Sequence, residues 1–225
     1  MVIVNADVRT MAGERFEHGY IHMDGGKIVS VGPMERAPRD AERFDAAGAV
    51  ALPGLVDAHC HIGMWEDGLG FEGDDGNEDT DPVTPQLRGL DGVNPLDRAF
   101  TEALDWGVTT VVTGPGSANP IGGQMAAVKT YGKRIDKMIV KAPLAIKMAL
   151  GENPKRVYHD KSRTPVTRMA TAALIREQLY KAKNYMEKLD RAQKGEGTPP
   201  EFDFKCEALL PALRREIQVH IHCHR

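Results

Sequence analysis

Cysteine is scarce in this chain: Cys60, Cys206 and Cys223 are the only three. They are odd in number, far apart and form no C-x-x-C pair, which excludes a disulfide framework and a zinc knuckle. No apolar run reaches the about 18 residues that a membrane span needs. The apolar start VIVNADV is broken at once by Asn5 and Asp7, so no secretory leader is indicated either. A surplus of one charge is lacking too, because 29 Lys and Arg against 32 Asp and Glu leave a net charge of -3, which excludes the basic footprint of a nucleic-acid binder. What remains is an ordinary composition, 41% hydrophobic and 27% charged over 225 residues, able to bury a core. The reading is a cytoplasmic chain with reduced cysteines that meets neither nucleic acid nor membrane.

The chain divides near residue 52. Before it, the short β-type runs VIVNADV, GYIHMDGGKIVSVG and FDAAGAVAL are punctuated by Asp24-Gly25-Gly26, whose glycines supply the positive φ of a tight hairpin. Residues 1–52 therefore read as a small β module. After it, residues 53–225 alternate strand-like and helix-like stretches: LVDAHCHIG, NPLDRAFTEALDWG, VTTVVTGPG, the long VTRMATAALIREQLYKAKNYMEKLDRA and finally EIQVHIHCHR. That order predicts an α/β domain of parallel βα units. In the long helix, Ala172, Ile175, Leu179, Ala182, Met186 and Leu189 recur at three and four spacing after an N-cap and N1 pair at Thr164-Pro165, and the stripe is read as packing.

Residues 52–63, LPGLVDAHCHIG, end an apolar run with His59 and His61. Read as a strand, the segment puts residues 55, 57, 59 and 61 on one face and Val56, Ala58 and Cys60 on the other, so the two imidazoles converge and Cys60 points away. Such a pair serves polar contacts as readily as a metal. The chain repeats the device in QVHIHCHR, with His220, His222 and His224 sharing a face, and five of the eight histidines lie in these two clusters. A catalytic zinc takes about three protein ligands and an open position, and barrel strand ends supply them, so the two clusters together favour a metal site.

Pro53-Gly54-Leu55-Val56-Asp57-Ala58-His59-Cys60-His61, preceded by GKIVSVG at residues 26–32 and followed by GVTTV at 107–111, resembles the opening of the amidohydrolase superfamily, specifically its imidazolonepropionase-like metal-dependent hydrolases. The resemblance implies a TIM-type (β/α) barrel, partial in this chain, carrying a small β-sandwich built from both chain ends. It implies that His59 and His61 are metal ligands and that His222 matches a later strand-end histidine, with His220 and His224 as its alternates. The metal implied is divalent, zinc first, with iron or manganese as alternatives. The family's proton-moving aspartate is expected later than Arg225, so no catalytic residue is assigned. The implied activity is hydrolysis of a C–N bond in a small-molecule substrate, a cyclic amide, acyl amino acid or relative, by a metal-activated water. The alternative is a noncatalytic metal-binding fragment. About four or five strands are identifiable where a barrel needs eight, so the chain is expected to form a homo-oligomer or to associate with a missing carboxyl-terminal segment.

Lys147, in PLAIKMALGENPK, is a further alternate, because some related members use a carboxylated lysine that bridges two metals; the plain reading is a solvated lysine. Glu152, in GENPK, is a carboxylate candidate for the metal or a helix-start glutamate. The glycine-rich residues 114–123, GPGSANPIGG, lack both Gly-Lys-Ser/Thr and a clean G-x-G-x-x-G. They read as a strand-end loop, with Ser117 and Asn119 as substrate contacts or as turn formers. The acidic run of residues 66–81 has Thr80 where an EF-hand loop begun at Asp75 needs glycine, and Gln86 where it needs glutamate, so it reads as a mobile, solvated loop over the barrel mouth. Cys60 and Cys223, turned away from the histidines, are expected to be buried and chemically quiet.

Overall fold

The computed structural model describes residues 1–66 and 69–224. The chain falls into two compact units, Met1–Gly54 and Leu55–Arg225.

The first unit is one five-stranded sheet in which β1 (Val2–Arg9) lies centrally. Its even residues Val2, Val4, Ala6 and Val8 are buried, the period-two signature of a strand with one face on a core. β2 (Arg15–Asp24) and β3 (Lys27–Pro33) form the expected hairpin, with Gly25 at φ 55° and Gly26 at φ 75° making its turn. β4 (Arg43–Asp45) and β5 (Val50–Ala51) both pair parallel to β1.

The second unit is built on a five-stranded sheet ordered β10-β9-β8-β7-β6. Its members are β6 (Leu55–Asp57), β7 (Val108–Thr113), β8 (Ile121–Lys129), β9 (Ile139–Gly151) and β10 (Gln218–His224). The pairs β6–β7 and β9–β10 are parallel, but β8 runs antiparallel to both its neighbours. This corrects the expectation of purely parallel units: between VTTVVTGPG and the long helix lie two further strands, and the first turns back on β7.

Alternation along β9 sends Ile146 and Met148 to one face, where they pack with Ala182, Tyr185, Cys206, Leu209 and Leu210 of α4 (Arg168–Gln193) and α5 (Phe204–Leu213). Leu179, Met186 and Leu189 join that cluster, so the helical stripe does pack on the core. The N-cap of α4 is Thr167, whose side chain accepts from the Ala170 amide at 3.1 Å, and not the Thr164-Pro165 pair. Ala145 packs on the opposite face with Val112, Met125 and Ala127. By register His220 stands beside Lys147, and His222 beside Ala149, on that same side. α1 (Arg98–Asp105) and the short α2 (Ile135–Met138) contribute Phe100 and Met138 to a second cluster with Val111 and Val128.

The outer strands are poorly covered. Leu55 and Val56 on β6, and Val219 and Ile221 on β10, are exposed. Cys223 is exposed for the same reason, contrary to expectation, because α4 and α5 cover β9 and leave the outward face of β10 open. Cys60 is half-buried, and burial pushes its thiol up to about 11. None of the described helices is long and apolar enough to cross a membrane.

Candidate functional site

β6 stops at Asp57, so His59 and His61 lie just beyond the strand rather than in it. An Asx-type contact explains the bend: the Asp57 carboxylate accepts from the His59 amide at 3.0 Å. The chain nevertheless keeps beside β7, since the Cys60 amide donates to the Val112 carbonyl at 2.9 Å. The two imidazoles meet edge to face with ring centres 5.2 Å apart, as the two-residue spacing suggested.

His61 is half-buried, and its Nδ1 lies 2.8 Å from the Gly114 carbonyl. A carbonyl only accepts, so the proton sits on Nδ1 and Nε2 keeps its lone pair. Trp65 packs edge-on to the same ring at 5.2 Å. Behind His61, Asp97 caps α1 through the Ala99 amide at 3.0 Å and also accepts from the Gly63 amide at 3.1 Å, which ties the histidine segment to the helix.

The middle of the cluster belongs to Lys147, 0% exposed, whose Nζ lies 2.7 Å from His59 Nε2. Burial pushes this amine down to about 8. His59 Nδ1 lies 3.4 Å from His220 Nδ1, and His220 Nε2 lies 2.9 Å from the Gln218 side-chain carbonyl. Desolvation first, then the Lys147 charge, lowers His59 to about 4, and the same two causes lower His220. His61 is lowered by desolvation, in spite of its bond to Gly114.

His222 is lowered by desolvation and by Lys147, and its Nε2 lies 3.2 Å from Asn153 Nδ2. Asn153 also donates to Ser117 Oγ at 2.8 Å. Sequence reasoning passed over Asn153, although an asparagine inside GENPK, on α3 (Glu152–Asp160) and in no capping position, is a signal of sorts. Glu152 turns to His224, with Oε1 to Nδ1 at 3.0 Å, so the structure pairs these two with each other rather than with His59.

Asn119 is 3% exposed, with both ends of its amide engaged inside the chain. Its oxygen accepts from Tyr158 Oη at 2.7 Å, and its nitrogen donates to the Glu78 carbonyl at 2.7 Å and Thr84 Oγ1 at 3.1 Å. That makes it a loop anchor in this structure rather than a free contact. The acidic run it holds is not merely solvated: Asn77 accepts from the Ala118 amide at 3.0 Å, Asp79 pairs with Lys161 at 2.6 Å and Asp81 with Lys205 at 2.7 Å. Asp67 and Gly68 of that run lie outside the described residues.

A cavity of about 460 Å³ opens beside His59, His220 and His222. A larger one, about 900 Å³, is lined by Asp74, Asp75, Glu78 and Asp79 with Phe71 and Phe204, and no histidine reaches it.

Among the described residues, no three His, Cys, Asp or Glu side chains are gathered tightly enough to hold a metal ion. In kind, however, the donors fit a divalent cation. His59, His61, His220 and His222 are all held toward the neutral, lone-pair form, and burial eases the proton off the lysine amine that faces His59.

A β module and a mixed-sheet α/β domain with imidazoles clustered at strand ends are what the structure gives, and comparison with known proteins says what they resemble. No family model matches the chain. The crystal structure of an amidohydrolase from Thermotoga maritima MSB8 superposes with a TM-score of 0.93 at 46% identity, over 100% of this chain and 58% of that one. "Amidohydrolase tasK" of Hapsidospora irregularis is 34% identical over 97% of this chain and 24% of its own length. An imidazolonepropionase of Saccharopolyspora erythraea is 50% identical over 18% of this chain and 10% of its own. The chain is a homologue of the amidohydrolases, and it spans about a quarter of the first of these curated relatives.

Proposed function

We propose that the chain carries the metal-binding portion of an amidohydrolase that cleaves a C–N bond in a small amide, a cyclic amide or an acyl amino acid. The carrying observation is the juxtaposition of four imidazoles disposed to be neutral with a fully buried lysine, at the strand ends of a domain homologous to amidohydrolases. A TIM-type barrel is part of the proposal; the exposed apolar residues of β6 and β10 support further strands joining there, from a carboxyl-terminal segment or another copy.

His59 and His61 would hold the metal, zinc first and iron or manganese as alternatives, with His222 and the alternates His220 and Lys147 completing the set. When bound, such a cation supplies a water that ionises near pH 7 and a polarised carbonyl. The chain's own part is to orient and to exclude. Gly114 fixes the His61 proton on Nδ1 and leaves the ring's lone pair on Nε2. Lys147, whose amine burial lowers to about 8, gives up its proton more readily than a solvated lysine does, and a free amine is what a carboxylated lysine requires. Asn119, Tyr158 and Thr84 hold the acidic segment as a wall. Ser117 remains a contact candidate through its hydroxyl beside Asn153. The three free cysteines support work in the reducing cytoplasm.

The test is elemental analysis of the zinc-loaded chain against a His59→Ala/His61→Ala variant, followed by turnover on a panel of cyclic and acyclic amides. Loss of zinc in the variant is expected. Zinc held at unchanged stoichiometry by a folded variant overturns the assignment, and zinc bound without turnover, even with the partner segment supplied, favours the noncatalytic reading.

A further inference from the structure

We propose that Asn153 is the positioning residue that decides which ring nitrogen of His222 carries the proton. The inference deepens the metal reading above, since a histidine coordinates only through the nitrogen that lacks one.

The argument starts from backbone. β9 and β10 run in parallel register up to Gly151 beside His224, and a Cβ on Gly151 would stand 1.6 Å from the His224 carbonyl oxygen. Only a glycine permits that approach, and Gly151, at φ 82°, is also the residue from which α3 begins. The first turn of α3 is therefore clamped against the end of β10. Asn153 reaches His222 from a rigid seat, not from a loop.

The side-chain chemistry follows from inventories. A neutral imidazole has one N–H and one lone pair, while a carboxamide offers a donating and an accepting end. Asn153 turns its donating end to His222 Nε2 at 3.2 Å, so Nε2 accepts and the proton stays on Nδ1. The same amide nitrogen gives its other hydrogen to Ser117 Oγ at 2.8 Å, which seats the carboxamide between that hydroxyl and the ring. His224, two residues on, faces Glu152 instead, so no carboxylate competes for His222 in these contacts. In this arrangement both nitrogens of His222 are withheld from a cation. One carries the proton and the other accepts from Asn153. His222 joins only when the amide turns its oxygen toward Nε2, which moves the proton to Nε2 and frees Nδ1; a hydroxyl at Ser117 serves either orientation by rotating.

The experiment is two-bond ¹H–¹⁵N correlation of the histidine rings in the metal-free chain at pH 8, with His222 assigned from a His222→Gln spectrum. Wild type is expected to show a pyridine-like Nε2 and a pyrrole-like Nδ1 at His222. Asn153→Asp, which can only accept, is expected to reverse the pair, and Asn153→Ala to give a mixture. Ser117→Ala, which leaves Asn153 in place, is expected to blur the wild-type preference, and it keeps the test alive if an Asn153 variant misfolds. A proton on Nε2 in wild type, or the same tautomer in wild type, Asn153→Ala and Asn153→Asp, overturns the proposal. In a zinc titration by chelator competition, Asn153→Asp is expected to bind about 10-fold tighter than Asn153→Ala, the lower end of what such supporting contacts contribute. Equal zinc affinity in the two variants overturns the link to the metal. Because the resonance measurement needs no metal, failure of wild type to bind zinc removes the metal reading and leaves the tautomer result to stand or fall separately.

Discussion

Lys147 Nζ and His59 Nε2 lie 2.7 Å apart across 88 positions of sequence, a buried amine donating to an imidazole lone pair. No ion pair to a carboxylate accompanies the contact among the described residues. A cation desolvated against neutral bases is costly, and the cost shows as the lysine's lowered proton affinity.

That lowering fixes a pH dependence. Folded Lys147 titrates at about 8 against 10.5 for the free side chain, so between those values the unfolded chain binds more protons and stability rises with pH. Below about 8 the full penalty applies. Lys147→Met in the metal-free chain should therefore be more stable at pH 7 by on the order of 1–3 kcal/mol. The advantage should shrink toward pH 10. Urea unfolding at both pH values checks this, and a gap that stays constant would count against the buried-cation account.

Tyr158→Phe should leave Asn119 Oδ1 without its donor in a site 3% exposed. The expected loss is about 1–3 kcal/mol, the penalty for a buried unsatisfied acceptor. Proteolysis within residues 77–84 should accelerate as well, because Asn119 ties to the Glu78 carbonyl and to Thr84 Oγ1. Unchanged stability and an unchanged cleavage pattern would show that the anchor carries little.

Thiol reagent should distinguish the three cysteines. Cys223 is exposed, Cys206 is buried and Cys60 is held up at about 11, so the native chain should label first at Cys223, with the other two waiting for unfolding. Peptide mapping after a short pulse checks the order. Early labelling of Cys206 would mean that α5 does not seal the helix side of the sheet.

Asp97→Ala removes two acceptors at once, the cap of α1 and the partner of Gly63. A loss of about 1–2 kcal/mol is expected from the cap. The zinc affinity of the chain should fall too, since the segment following His61 loses its tie. Weakened stability with intact metal binding would separate the helix from the site.

The histidine pair and the amphipathic helix were legible in the sequence because each rests on local spacing. Two-residue spacing brought His59 and His61 together even though β6 ends two residues before His59. β8 was illegible for a physical reason: IGGQMAAVK is nearly all buried, so it lacks alternation, and its glycines and alanines are poor strand formers. With β8 unseen, the β9–β10 register that sets His220 beside Lys147 could not be anticipated, and Lys147 looked like an ordinary lysine. Asn153 was hidden for the same reason, since its meaning comes only from the residue it faces.

The reversal of β8 has a practical consequence. Because the strand runs back, the chain leaves β7 and enters β8 through residues 114–120 at the histidine end, while residues 130–138 join β8 to β9 at the far end. A fluorophore, affinity tag or inserted domain placed near Tyr131, which is 81% exposed, would report on the protein from the end of the sheet remote from its imidazoles. Evolution has the same freedom: that connection can lengthen without redrawing the site, whereas residues 114–120 carry the carbonyl that His61 meets and the hydroxyl that Asn153 meets.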